Sequence, residues 1–166
     1  VKANGEGYKV ATTGEDIARV YIGGPNSCMS GDEFGASNHP TSVYGGPDLA
    51  LAYLGHIDHA SARCLIWPAK KLYTRVYGDE TLTEQLKRDG FKHSYYFDGA
   101  RIRAIREDDS LRGRERWIMP YVDCADSADL ISERVNGAKV EYFRLRDDES
   151  GEWQVKDTGG YAYENE

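Results

Sequence analysis

The chain has 166 residues, with 28 acidic against 21 basic side chains, a net charge of −7 and 40% hydrophobic residues. That is the make-up of a globular domain with its own core, and no apolar run nears the roughly 18 residues needed to cross a bilayer as a helix. The acidic balance argues against a general nucleic-acid binder, which works by neutralising phosphates.

Residues 1–13 have little apolar content and are expected to form a flexible arm or a short edge strand. Thr13-Gly14-Glu15-Asp16 offers a helix start, Ile17, Val20 and Tyr21 follow at helical spacing, and Gly23-Gly24-Pro25 ends the run. From Pro25 to Pro47 the chain is rich in Gly, Ser, Asn and Pro without a period, a loop long enough to expect a function of it. Leu49–Leu54 and Ala62–Trp67 are predicted strands, joined by the polar link Gly55–Ala60. In Leu72–Tyr77 strict alternation predicts a third strand, with Leu72, Thr74 and Val76 on one face and Tyr73, Arg75 and Tyr77 on the other.

A helix is predicted next. Thr81-Leu-Thr-Glu84 has the form of a capping box, Leu82 and Leu86 share a face, and Gly90 stands where a left-handed cap is expected. His93–Phe97 and Ala100–Arg106 flank Asp98-Gly99, the pair favoured in a type I′ hairpin. Trp117–Val122 is a strand interrupted by Pro120, and Ser127–Arg134 is predicted as a short helix with Ser127 at its N-cap. Lys139–Arg146 and Trp153–Lys156 are expected to form a last hairpin around Asp147–Gly151, with 158–166 a polar tail. Strand runs with helices among them predict an α+β domain over 14–157, built on a mainly antiparallel, twisted sheet of six or seven strands with two or three helices.

Several residue groups invite a chemical reading. His56, Asp58, His59 and Cys64 are zinc-ligand types near one turn, but His-x-Asp-His matches no strong zinc spacing, so no metal is assigned. Cys28, in Asn26-Ser-Cys-Met-Ser-Gly31, would need a neighbouring histidine to act as a nucleophile, and nothing in the sequence supplies one. No catalytic residue is therefore assigned. Cys28, Cys64 and Cys124 are odd in number and widely spaced, which is no disulfide framework and favours a reducing, intracellular setting. Six arginines between Arg101 and Arg116, interleaved with Glu107, Asp108, Asp109 and Glu115, read as a solvated hairpin and loop. The 12 tyrosines suit half-buried sheet faces and also interfaces, where an apolar ring carries a polar tip.

The strand-strand-strand-helix-strand order of 49–97 resembles the centre of GNAT-type acetyltransferases. That resemblance implies an acetyl-CoA pyrophosphate held at the start of the helix, here at Gly78 and Thr81. Of the family's Gly-rich loop only Gly78 is present, and Asp79 and Glu80 would repel a pyrophosphate.

A second resemblance rests on Ser27-Cys-Met-Ser-Gly31, Ala62-Arg-Cys-Leu-Ile-Trp67, Tyr73-Thr-Arg-Val-Tyr-Gly-Asp79 and Met119-Pro-Tyr-Val-Asp123, which are similar to a group of uncharacterised bacteriophage proteins. It implies a phage-encoded, non-enzymatic accessory protein in the host cytoplasm, without a cofactor, that binds a host or viral macromolecule, such as a host-takeover or anti-defence factor. The residues expected at that interface are Cys28, Met29, Phe34, His39 and Tyr44 of the long loop, with Tyr73, Arg75 and Tyr77 of the Tyr-rich strand. A GNAT-like acyltransferase and a virion component are the alternatives.

Overall fold

The computed structural model describes residues 7–25, 39–109, 114–118, 124–125, 127–146 and 162–164. Their centre is a five-stranded sheet of β1 (Lys9–Ala11), β2 (Ala50–His56), β3 (His59–Trp67), β4 (Leu72–Gly78) and β5 (Lys92–His93), in that spatial order. All its pairs are antiparallel except β4–β5, which is parallel because α2 (Thr81–Arg88) carries the chain back between them. Lys9–Ala11, within the predicted arm, form the edge strand against Leu51–Tyr53.

Both faces of this sheet are covered, which is why β2 and β3 read as nearly continuous apolar runs. Leu51, Tyr53, Leu65 and Trp67 point to one side, where α1 (Gly14–Gly23) lays down Ile17, Val20 and Tyr21. Ala50, Ala52, Leu54, Ala62, Cys64 and Ile66 point to the other, where α2 contributes Leu82 and Leu86. The predicted start of α1 is found: Thr13 Oγ1 accepts from the Asp16 N–H at 3.2 Å.

The remaining described strands form two smaller sheets, one in the order β6 (Arg101–Arg103), β10 (Ala138–Arg146), β9 (Ser127–Val135), the other β11 (Ala162–Glu164), β8 (Arg114–Ile118), β7 (Ile105–Asp109). Ile102, Phe143 and Leu145 join the core on the α1 side of the central sheet. The chain is thus an α+β domain with mainly antiparallel strands.

Four expectations are corrected here. Ser127–Arg134 is no helix but most of β9, paired over its whole length with β10. The joint is a two-residue turn at Asn136-Gly137, both with positive φ (53° and 83°), so the type I′ hairpin lies there. At Asp98-Gly99 only the glycine has positive φ; the Ala100 N–H donates to the Phe97 carbonyl at 3.1 Å, and the flanking segments go to different sheets. Ala100–Arg106 is divided between β6 and β7. Ala162–Glu164, in the expected tail, pair with β8, while Trp153–Lys156 lie outside the described residues.

The fourth correction concerns β4. Cys64 pairs with Val76 but Ile66 with Tyr73, so Thr74 and Arg75 stand opposite the single residue Leu65. This bulge shifts the side-chain phase by one. Tyr73 and Val76 both face α2, whereas Leu72 packs on the α1 side, and the predicted Leu72-Thr74-Val76 face does not exist.

Candidate functional site: a cleft between two parting strands

β5 pairs only Lys92 and His93 with Leu72 and Tyr73, and the last described main-chain bond between the segments is Ser94 N–H to the Tyr73 carbonyl at 2.9 Å. β4 continues to Gly78. Its Thr74–Gly78 stretch therefore has no strand neighbour on that side among the described residues. The space so opened is a cleft of about 680 Å³, a size ordinary for ligand sites.

Tyr73, Thr74, Arg75 and Val76 form its floor, Glu80, Thr83 and Glu84 of α2 one wall, and His93 with Tyr95 the other. The aromatic groups interlock edge to face. Tyr73 and His93 have ring centroids 5.3 Å apart at 76°, and His93 and Tyr95 4.7 Å apart at 83°. Tyr73 is buried, and Tyr95, at 76% exposure, stands nearly free. Glu80 and Glu84 are exposed, four residues apart on the helix, on the side away from the buried Leu82 and Leu86. Arg75 is also exposed, its guanidinium 4.8 Å from the Tyr77 ring centre.

The bulge is tied into the sheet from below. Cys64 is buried, and its thiol donates to the Thr74 carbonyl at 3.3 Å. On the opposite face Arg63, 1% exposed, lies between the rings of Tyr21 (4.3 Å) and Tyr77 (4.5 Å) and donates Nη1 to the Pro25 carbonyl at 2.8 Å.

The start of α2 differs from the predicted capping box. Glu80, not Thr81, is the N-cap residue and gives no side-chain cap; Asp79 Oδ1 accepts instead from the Thr81 N–H at 3.0 Å. Gly78 ends β4 in the left-handed region (φ 95°), the helix begins one residue earlier than the capping box predicts, and the short Asp79 carboxylate reaches two residues ahead. The Asp79 N–H donates to the Ser61 carbonyl at 3.0 Å, Leu82 N–H to the Asp79 carbonyl at 3.3 Å and Thr83 N–H to the Glu80 carbonyl at 3.0 Å. The Asp79, Thr81, Leu82 and Thr83 N–H donors are thus bonded within the fold, and Asp79 and Glu80 carry the wrong charge for a phosphate. Gly78 has a conformational role.

Of the residues expected at a partner interface, Cys28, Met29 and Phe34 lie outside the described residues. His39 and Tyr44 are corrected: both are buried, because the second half of the long loop folds into a 3-10 turn, Pro40–Tyr44, packed against α1. His39 Nδ1 accepts from the Thr41 N–H at 3.2 Å and caps that turn, and Tyr44 stacks on Tyr21. Tyr73 and Arg75 do meet at the cleft, and Tyr77 lies half-buried beside it.

The histidine-rich turn does not converge on an ion. The Asp58 carboxylate is taken by Arg19, whose Nε and Nη2 donate at 3.0 and 2.7 Å, hydrogen bonds that hold the carboxyl below its usual pKa. Among the described residues no group of three or more His, Cys, Asp or Glu is arranged to hold a metal ion. No described helix is long and apolar enough to cross a membrane.

Sequence reasoning missed Glu80, Thr83, Glu84, His93 and Tyr95. One signal was available, the spacing of Glu80 and Glu84 on the polar side of a helix whose apolar side is Leu82 and Leu86. Comparison of the chain with protein-family models, with curated proteins and with solved structures gives no match.

Proposed function

We propose that the protein is a non-enzymatic binding protein that takes up an extended segment of a partner protein in the cleft between β4 and β5. The observation that carries this reading is the parting of the two strands: β4 runs five residues past its last β5 pair, beside an aromatic-lined space. Five strand residues span about 16 Å, enough to receive a short strand by β-augmentation, with alternate side chains entering the cleft. On the bacteriophage resemblance, that partner would be a host or viral protein and the setting the host cytoplasm.

One observation favours a second reading, the GNAT-like acyltransferase. A parallel strand pair joined by a helix follows a three-strand meander, as that resemblance implies. The bonded N–H groups and acidic side chains at the start of α2 weigh against it.

A photo-crosslinking amino acid placed at Tyr95, in cells that hold the partner, tests the first reading. Adducts should map to one extended segment of one protein and vanish when that segment is added as a synthetic peptide. The same probe at Val10, exposed on the opposite sheet edge, should give none of them. Equal labelling from both positions overturns the reading. A rise in melting temperature with acetyl-CoA, which any ligand of the native state produces, decides for the acyltransferase.

A further inference from the structure

We infer that the segment the cleft accepts carries a basic side chain, lysine or arginine, seated between the α2 wall and the aromatic wall; this rests on the peptide-binding reading above. Glu80 and Glu84 line the helical wall, both exposed, and neither carboxylate forms an ion pair with another described residue. The Tyr73–His93–Tyr95 rings line the same cleft, each edge to face with the next, and Tyr95 leaves its ring 76% exposed. An aromatic face attracts a cation, and two carboxylates opposite it add a Coulombic term of the same sign. An acidic side chain would meet repulsion from both walls.

Among the described lining residues the one lysine or arginine is Arg75, whose guanidinium lies over the Tyr77 ring. A free amine alone would use the charge but not the length of the site. Among the described residues Thr74–Gly78 has no strand neighbour on the cleft side over five residues, which calls for a ligand with main chain of its own.

The test is a titration of the full ¹⁵N-labelled chain with three acetylated, amidated nine-residue peptides of alternating Thr and Ala. They differ only in a central Lys, Gln or Glu. The Lys peptide should shift the amides of Thr74–Val76 and His93–Tyr95 and bind about tenfold more tightly than the Glu peptide at low salt. Glu80→Gln with Glu84→Gln should cut the lysine peptide's advantage over the glutamate peptide to about threefold, the share left to the aromatic wall, and Glu84→Lys should cut it at least as far. Both glutamates are exposed, so these variants keep the fold.

Equal affinities with shifts still at the cleft overturn the basic-residue inference and leave the peptide-binding reading standing. A lysine preference undiminished by the double substitution overturns the seat of that side chain at the α2 wall. No shift at Thr74–Val76 with any peptide overturns both.

Discussion

Asp48 and Arg101 grip each other through three hydrogen bonds. Arg101 donates its main-chain N–H to Asp48 Oδ2 at 2.8 Å, its Nε to the same oxygen at 2.9 Å and its Nη2 to Oδ1 at 3.0 Å. The remaining arm, Nη1, donates to Glu133 at 2.6 Å. Asp48 precedes β2 of the central sheet, Arg101 opens β6 and Glu133 belongs to β9, so one guanidinium joins the two sheets. Asp48→Asn keeps the shape but removes the charge and one acceptor. It should cost about 2 kcal/mol, the scale of charge-assisted hydrogen bonds in a partly buried site, read as a lower urea midpoint with an unchanged slope.

The same pair sets an acid limit. Burial pushes the Asp48 carboxyl up, but the Arg101 side-chain and main-chain hydrogen bonds outweigh it and hold the group below the ordinary carboxylate range. A depressed folded pKa stabilises the protein fully above the unfolded value, about 4, and that contribution fades as pH falls through the folded value. Stability measured by urea unfolding should therefore drop below about pH 4 in the parent chain. The drop should be smaller in Asp48→Asn, so that the two curves converge in acid. Parallel curves would show that Asp48 does not titrate this way.

Gly78 and Gly90 both have positive φ, 95° and 90°, but only one is crowded. A Cβ at Gly78 would come within 2.2 Å of the Ser61 carbonyl oxygen, a main-chain atom that cannot step aside, whereas one at Gly90 meets nothing within 4 Å. Gly90→Ala should cost about 1 kcal/mol, the conformational penalty alone. Gly78→Ala should cost roughly 2 kcal/mol more, the scale of overpacking, in the same unfolding measurement.

These two glycines also mark what local sequence could disclose. Leu82, Leu86 and Gly90 were legible because their spacing and φ preference act within one helix. The Leu72–Tyr77 strand was legible too, but its face was not: the bulge at Thr74-Arg75 is set by pairing with β3, ten residues back, and one extra residue inverts the alternation. Ser127–Arg134 carries helix-like spacing, yet its backbone bonds go to β10, and the Asn136-Gly137 turn that brings β10 back was the local sign of it. The cleft was hidden for the same reason. His93 and Tyr95 reach β4 only through a parallel pairing across α2, and no periodicity announces a contact made at that distance.

Leu86 is fully buried against the central sheet and holds α2, and with it Glu80 and Glu84, in position. Leu86→Ala should cost about 3 kcal/mol through lost burial and the cavity left behind. Leu86→Met, close in volume, should stay under about 1.5 kcal/mol. Thermal unfolding of the two variants checks the ratio. Equal losses would mean that the leucine's shape, rather than its volume, locks the helix.

Tyr73 and Tyr95 stand at the two ends of one aromatic row and should separate stability from binding. Tyr73 is 3% exposed and packs with Ile66, Leu82 and Leu86, so Tyr73→Ala should cost about 3 kcal/mol. Tyr95 is 76% exposed and touches the fold through His93, so Tyr95→Ala should change stability by no more than about 0.5 kcal/mol. The same Tyr95→Ala change should weaken the lysine peptide about tenfold, the effect of removing an aromatic anchor from a small interface. Tyr95→Phe should retain most of the affinity, because the ring face rather than the hydroxyl meets the cation. If Tyr95→Ala instead lowers the melting temperature as far as Tyr73→Ala does, the outer ring serves the fold, and the cleft loses its aromatic wall as a binding element.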